Sequence, residues 1–578
     1  MNKLLSHHSY PYVLIALLSG LLFIPFIGQC PLFDWDEVNF AECAREMLVS
    51  GNYAEVQLHF KPFWEKPPFF IWLQAASMQV FGINEFAARF PNAVCSILSM
   101  VSLFYVGKRY HSARFGYLWC LLYAASLLPH FYFKSGIIDP WFNLFIFLSL
   151  YQSFQFLHPR NVRHGLINAL LAGLFLGLAV LTKGPAALVI SALSIVAYLL
   201  WTKSLRVLWS GRLWLFVVAA LFVAGSWFMA EWLSGHQNVV KEFIDYQIRL
   251  FETGDAGHDG PFLYHALVLL LGCFPASILF MMYYNKTQTQ DASQLLFRKL
   301  MLCLFWVVLI LFSVVKTKII HYSSLCYYPL TFVACIGLMD LKQERVSPYL
   351  KSLYWFTSGL LILAFLLIGL FPLFRESLLA SGLIGDAFAV ENLRADVKWS
   401  GLEFLPGLVL LAASVLLFRA LKNGRTKQLY LALGIQTAFI TLAILLLVPK
   451  IEQYTQHAAI AFYREKAKEH CYIETHNFKS YAYLFYGDRR PGDFTNPDQV
   501  RYIFEQQNVM EREGHSRLSS YATSNVLWME NGKIDRTAYI VIKTPDEKKL
   551  MQEHPDFTKL YQKNGFSFFA RYPDSPVK

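Results

Sequence analysis

Charge is scarce in this sequence. Only 16% of its 578 residues are Asp, Glu, Lys or Arg, against 55% hydrophobic. A soluble protein of this size carries about a quarter, so a soluble globular chain is excluded. The usual signatures of metal and nucleotide chemistry are absent as well. There is no HExxH, no paired CxxC and no glycine-rich phosphate loop between a strand and a helix, so nothing supports use of ATP or a nucleotide sugar. No small-x-small cleavage site follows the first apolar run, Tyr12 to Gly28, which therefore reads as a retained span and not a signal peptide. Internal repeats and low-complexity segments are missing too. Cysteine is present, nine in all, but most lie inside apolar runs, where the thiol is a small hydrophobe. Cys30 and Cys43 share one polar loop, and a pairing between them is open in an oxidising compartment.

What is present is a succession of apolar runs, each long enough for a hydrocarbon layer about 30 Å thick. About thirteen spans follow on that criterion, near 12–28, 91–107, 115–130, 137–157, 165–181, 184–202, 212–232, 263–284, 299–315, 324–342, 351–373, 404–421 and 428–448. With a cytoplasmic N-terminus, the cytoplasmic loops hold Lys108, Arg109, Arg114, Arg160, Arg163, Lys203, Arg206, Arg212, Lys286, Arg298, Lys299, Lys342, Arg345, Arg419, Lys422, Arg425 and Lys427. The opposite loops hold Asp34, Asp36, Glu37, Glu42, Glu46, Glu65, Asp139, Glu242, Asp245, Asp255 and Asp259. Bases on one side and acids on the other is the positive-inside pattern for an odd number of spans. The formal net charge of +11 is thereby a matter of topology and no sign of nucleic acid. The expected fold is a polytopic α-helical membrane protein, 1–449, whose first outer loop is 29–90. A small external α/β domain, 450–578, follows, with strand-like runs Thr537–Ile542 and Phe566–Tyr572 and turn signals at Asn531–Gly532 and Asn564–Gly565.

The first outer loop carries unusual charge for a membrane edge. Val38–Val49 has helical spacing with Phe40, Cys43, Ala44, Met47 and Leu48 on one face, Glu42 and Glu46 on the other, and Gly51 as a stop. Pro67–Pro68 opens a second apolar helix, Phe69–Val80, closed by Gly82. It is too short to span and is expected to lie along the interface. Together the two helices read as a surface platform.

Several polar residues in the outer loops are candidates for chemistry, and each has a plainer reading. Asp36 and Glu37 are adjacent carboxylates directly after a span, though acids also suit a helix first turn. Glu65–Lys66–Pro67–Pro68 is either a stiff salt-bridged turn or a lysine holding an anionic headgroup. Asp139, in SGIIDPW, suits a helix start followed by proline, and faces the same side as Asp36. Lys183 in TKGP, and Lys316, Lys318, His321 and Tyr322 in KTKIIHY, place basic residues against the positive-inside bias, which points to an anionic partner. Arg249 lies in a long outer loop with His258, Asp259 and His265, and its planar fork suits phosphate. As a set, these groups converge on one membrane face. A polyprenyl-phosphate sugar needs such a face: cations for phosphate, acids near the sugar and apolar walls for the tail. A divalent ion on Asp36, Glu37 or Asp139 stays open.

These residues also carry a resemblance. DEVNFAECAREML (Asp36–Leu48), FWEKPP with a following IWL, FGINEFAARFP (Phe81–Pro91) and TKGP (Thr182–Pro185) resemble the lipid-linked glycosyltransferases of the C-type fold. The pattern is most similar to the bacterial 4-amino-4-deoxy-L-arabinose transferases of lipid A and their protein O-mannosyltransferase relatives. It runs through roughly the first 340 residues, with later spans and the external domain agreeing in layout. The resemblance implies transfer of a sugar from undecaprenyl phosphate, on the periplasmic side of the bacterial inner membrane, to lipid A or another periplasmic acceptor. It implies that Asp36 is essential, that Glu65 and Lys66 line the donor site, that Asp139 flanks it and that Arg249 contacts phosphate. Asp34–Trp35, ahead of the acidic pair, departs from the expected lead-in and leaves the sugar open. The competing readings are a polyprenyl-phosphate mannose:protein O-mannosyltransferase and a lipid-linked sugar flippase. Transporters place charge near the bilayer midplane and show repeats, whereas here charge gathers at one face.

Overall fold

In lipid every backbone N–H and C=O has to be paired within its own segment, so apolar runs of this length become helices. The computed structural model describes residues 9–159, 161–252, 260–286, 291–339, 341, 347–512 and 517–573. Among these, eight helices are long and apolar enough to cross a membrane. A ninth crossing results if Tyr264–Gly272 and Ala276–Tyr283, bent by 107° at the break before Pro275, act as one span. Of the thirteen apolar runs, the remaining four also hold helices. Tyr10–Phe23, Ala113–Ala124 and Ala186–Trp201 are shorter, and Asp139–Leu157 carries Asp139, Asn143 and two glutamines. The chain is thus a multi-pass helical membrane protein.

Small residues set how closely the helices approach. Val162–Lys183 packs along Gly211–Leu233, and the contact runs over Gly173 and Gly177. A Cβ on Gly173 would lie 2.5 Å from the Phe216 carbonyl oxygen, and one on Gly177 2.5 Å from Val223 Cβ. This is the small-xxx-small contact that membrane helices use in place of a hydrophobic driving force. The basic loops meet at one end of the bundle. There Arg114 reaches Thr426, Arg109 reaches Gln155 and Arg212 donates to the Phe156 carbonyl. The other ends of the same helices carry the acids.

The first outer loop forms the expected two helices, Asp36–Ser50 and Phe69–Phe81. Gly51 stops the first in the left-handed conformation, φ 71°, with its amide on the Met47 carbonyl, a backbone state that favours glycine. Between the helices β1 (Gln57–Leu58) and β2 (Lys61–Pro62) form a short antiparallel hairpin. The face that holds Glu42 and Glu46 is not an outer surface, however. Glu42, Arg45 and Glu46 are all buried because the C-terminal region lies on top of them. Arg45 forms two 2.7 Å bonds to Glu42, a 3.2 Å pair with Asp488 and a 2.8 Å bond to the Arg489 carbonyl. Burial and the neighbouring Glu42 charge hold the Glu46 carboxyl far above its ordinary value.

The C-terminal region contains a four-stranded sheet in the order β3 (Tyr472–His476), β4 (Ala538–Lys543), β6 (Phe566–Arg571), β5 (Thr558–Lys563). β3 and β4 are parallel and the other pairs antiparallel. Asn564–Gly565, both at positive φ, turn the β5–β6 hairpin as the sequence suggests. Asn531–Gly532 instead ends the helix Arg517–Asn531. Both sheet faces are apolar. Ile473, Val541 and Phe568 share a core with Val38, Ala41 and Met47 of the first loop, while Ile540, Ile542 and Phe569 pack with Trp528 and Met529. The helix leading into this region continues through Pro449 to Thr455. All nine cysteines are free, and Cys30 and Cys43 do not pair.

Gly173→Leu is expected to lower the detergent-melt Tm, because overpacking costs about 1–3 kcal/mol. Gly225→Leu, on the facing helix where a Cβ meets nothing within 4 Å, is expected to leave it unchanged. Equal melts for the two variants would contradict the close helix contact.

Candidate active site

A cavity of about 560 Å³ opens where the acidic ends of the helices meet the first loop. Several polar groups in it or just behind it are delivered by element ends. Asp36 begins the first-loop helix, Asp139 begins Asp139–Leu157 with Pro140 in its first turn, and Lys183 ends Val162–Lys183. Acids at the start and a base at the end follow the helix dipole. Gly184, at φ 97°, turns the chain away after Lys183. His321 and Tyr322 lie in the 3-10 turn Ile320–Cys326, and Lys66 follows the first-loop hairpin.

These groups form one network. His321 Nε2 lies 3.6 Å from Asp36 Oδ2 and 3.8 Å from Asp139 Oδ2. Lys183 Nζ donates to Asp139 Oδ1 at 2.6 Å and lies over the Tyr322 ring at 4.9 Å. Lys66 Nζ donates to the Tyr246 hydroxyl at 3.2 Å and faces that ring. The two acids differ in environment. Asp139 is 2% exposed, its Oδ2 buried without a hydrogen bond, whereas the Asp36 side chain is 38% exposed to the cavity. Asp36 is therefore the acid an incoming group can reach.

Other candidates are placed differently. Glu37 accepts from Arg89 Nε (2.9 Å) and Nη2 (2.7 Å), the Phe33 amide (2.9 Å) and the Gly136 amide (2.5 Å). Burial by itself raises this carboxyl, but the Arg89 charge and these hydrogen bonds outweigh it and hold it below its ordinary value. Both oxygens are engaged, which differs from the catalytic role expected for Glu37. Lys318 is buried and donates to the carbonyls of Phe312 (3.0 Å), Ser313 (2.7 Å) and Val315 (2.5 Å). It closes the C-terminal end of Ala292–Val314 instead of presenting a charge to phosphate. Glu65 lies outside the cavity lining, where its charge bears on Cys43 and Tyr481. Arg249 belongs to the helix Val239–Glu252, as does Tyr246, but its side chain lies outside the described residues, as do His258 and Asp259. Asp34, also in the cavity lining, is held from the C-terminal region. Burial pushes its carboxyl up to about 6 despite bonds from Ser480 and the Tyr481 amide.

Among the cavity residues that went unforeseen are Tyr246 and Lys134. Tyr246 has no local sequence signal. Lys134 has one, a lone lysine in FYFKSGIIDP against the positive-inside bias, the same signal that singled out Lys183. Its Nζ donates to the Pro25 carbonyl at 2.9 Å, and burial brings its ammonium down to about 8.

Glu37→Gln is expected to destabilise the fold by about 3–5 kcal/mol, since it leaves Arg89 buried and unpaired. The folded carboxyl is depressed, so its stabilisation is present above the ordinary carboxylate range and is lost as pH falls through the folded value. Melts of wild type and variant should therefore converge in acid. A constant gap down to the lowest pH would contradict the ion pair.

Residues 65–229 match the family model described as dolichyl-phosphate-mannose-protein mannosyltransferase. Among curated proteins, the chain is 28% identical over 342 residues to the undecaprenyl phosphate-alpha-4-amino-4-deoxy-L-arabinose arabinosyl transferase of Photorhabdus laumondii, covering 57% of this chain and 61% of that one. It is 26% identical to the protein of the same name from Pectobacterium atrosepticum, covering 67% and 72%. Among solved structures, it superposes on ArnT from Cupriavidus metallidurans bound to undecaprenyl phosphate with a TM-score of 0.73 and 17% identity, over 98% of this chain and 99% of that one. The apo form of that protein gives the same TM-score at 18% identity. The chain thus has the C-type glycosyltransferase fold, and in sequence it resembles the lipid-linked sugar transferases that its first-loop motifs indicate.

Proposed function

We propose that this protein transfers a sugar of the aminoarabinose class from undecaprenyl phosphate to a periplasmic acceptor, lipid A phosphate being the acceptor favoured. The observation that carries the reading is the convergence of Asp36, Lys66, Lys183, His321 and Tyr322, from four separate segments, on one cavity with apolar walls, with Asp139 paired to Lys183 and close to His321 behind them. The names of the relatives supply the donor. A multi-pass protein of the inner membrane, with the cavity and C-terminal region on the periplasmic side, accords with the distribution of acids and bases between its loops.

The chemistry is an inverting displacement. The acceptor oxygen bonds to the anomeric carbon as the bond from that carbon to the phosphate oxygen breaks, and polyprenyl phosphate leaves. Lys66 stabilises charge growing on the departing phosphate, with Arg249 of the neighbouring helix as a second candidate; preorganised charge of this kind acts without reorganisation. Lys183 is already paired with Asp139, so its part is to fix that carboxylate and the Tyr322 ring. Asp36, beside His321, orients the acceptor. A lipid A phosphate is itself a nucleophile, whereas a hydroxyl acceptor draws on Asp36 as a base. Glu37 positions Asp36 by fastening the first turn of its helix.

Asp36 is the residue to test, because its exposure lets it change without leaving a buried charge unpaired, which Lys183→Met would do. Asp36→Asn is expected to lower transfer from a labelled lipid-linked sugar by about 10²-fold or more, with Tm unchanged. Undiminished transfer would sink the proposal. Mass spectrometry of lipid A from cells with and without the protein decides the acceptor. A constant lipid A profile with altered glycoproteins would support protein O-glycosylation, the activity that the matched mannosyltransferase family model suggests.

A further inference from the structure

Among the described residues, the carboxylates that line the cavity are those of Asp34, Asp36 and Glu37. Glu37 is taken by Arg89, and Asp36 stands beside His321. Asp34 has no basic partner among the described residues. The groups that act on its carboxylate are the Ser480 hydroxyl and the Tyr481 amide, both neutral. The lysines of the lining are engaged elsewhere: Lys66 on the Tyr246 hydroxyl, Lys183 on Asp139 and Lys134 on the Pro25 carbonyl. Lys479, outside the lining, is held over the Trp35 and Tyr481 rings at 4.6 and 5.6 Å.

We propose that Asp34 binds a primary ammonium on the sugar ring of the lipid-linked donor, and so sets the choice of an amino sugar over a neutral one. This rests on the transfer reading above and names the chemistry of its substrate.

Asp34 Oδ1 is buried and accepts no hydrogen bond from the protein. A carboxylate oxygen left in that state destabilises the site until a donor reaches it. A sugar hydroxyl supplies a hydrogen bond but leaves the charge uncompensated. An ammonium supplies both, and charge-assisted bonds of this kind are the shorter and stronger ones. An aliphatic amine is protonated at neutral pH. The Asp34 carboxyl, pushed up to about 6 by burial, is still mostly ionised there, so the two opposite charges meet.

The backbone around this carboxylate is fixed. The Asp34 amide donates to Gln456 Oε1 at 3.2 Å, and Gln456 Nε2 donates in turn to the Leu32 carbonyl at 2.6 Å. Between them the Phe33 amide is held by Glu37. Asp34 and Asp36 are two positions apart, so their Cα atoms are separated by at most about 7 Å. One sugar ring spans such a gap, with Asp36 at the reacting end and Asp34 at a substituent on the far side. Trp35, exposed and also in the lining, offers a flat apolar wall between them. Asp34–Trp35 is also where this sequence leaves the lead-in expected from the lipid A enzymes, so the recognition belongs to this chain's own residues.

The test uses the full chain in detergent with two short-chain polyprenyl-phosphate donors, identical except that a hydroxyl replaces the amine in one. Wild type should transfer the amino sugar with a kcat/KM about 10–100-fold above that of the hydroxyl sugar, the worth of one charged hydrogen bond. Asp34→Asn should bring that ratio close to one at a wild-type Tm. Asp34→Ser, a second neutral variant, serves where the first does not fold. A wild-type ratio near one would overturn the proposal, and so would an unaltered ratio in a folded neutral variant. Calorimetric titration of wild type with each donor separates the subsite from the transfer reading. Binding that favours the amine without any transfer sinks the reaction and keeps the subsite. Equal transfer of both donors keeps the reaction and sinks the subsite, and equal binding with no transfer sinks both.

Discussion

The buried pair of Glu37 and Arg89 is the contact on which the rest of this site depends. Arg89 has its fork on the Glu37 carboxylate and donates as well to the carbonyls of Ile27, Cys30 and Pro31. Glu37 takes the amides of Phe33 and Gly136. One ion pair thus joins the end of the first helix, the lead-in to the first-loop helix, the start of Glu85–Tyr110 and the turn ahead of Asp139. Asp36, in the cavity lining, and Asp139, buried behind it, are each within a few residues of atoms it holds. Charged hydrogen bonds suit this task because they fix direction as well as distance. In a membrane protein they also satisfy backbone groups where helices break.

Around that anchor, charge is divided by accessibility. Asp139 is buried and neutralised by Lys183. Asp36, its side chain 38% exposed, and Lys66, hydrogen-bonded to the Tyr246 hydroxyl, face the cavity. His321 stands between the two acids, close enough to sense both. The arrangement keeps the dry side of the site balanced and leaves an acid and a base on the open side. Lys318, another outer lysine, is placed differently. Its ammonium is used up on three carbonyls at the end of a helix.

The first loop is a buried layer between the membrane helices and the C-terminal sheet. Its first helix packs its apolar side into the sheet's core, and its acids are closed over by Arg45, Asp488 and the Arg489 carbonyl. The loop is consequently tied to elements more than four hundred residues away in sequence; the Asp34 amide donates to Gln456 and the Leu32 amide to Tyr486. Position of the loop helix, and with it of Asp36, is a joint property of the loop and the distant C-terminal region.

Local rules were enough for much of this. Helical spacing, Gly51 and Pro67–Pro68 placed both loop helices. Apolar length placed the membrane helices, and charge asymmetry put Asp36, Asp139, Lys183 and His321 on one face. All of these are properties of a segment and its solvent, whether water or hydrocarbon. Which charge would be consumed by structure lay beyond them. Glu37 and Asp36 are neighbours with the same chemistry, and only Arg89, packed alongside from another helix, separates an anchor from an accessible acid. Glu42 and Glu46 read as an outer face until a domain folds over them. Sequence by itself determined the elements and the end of the helix bundle at which these charges gather. Tertiary structure decided the partner of each charge, because pairing depends on distances between segments that local spacing does not encode.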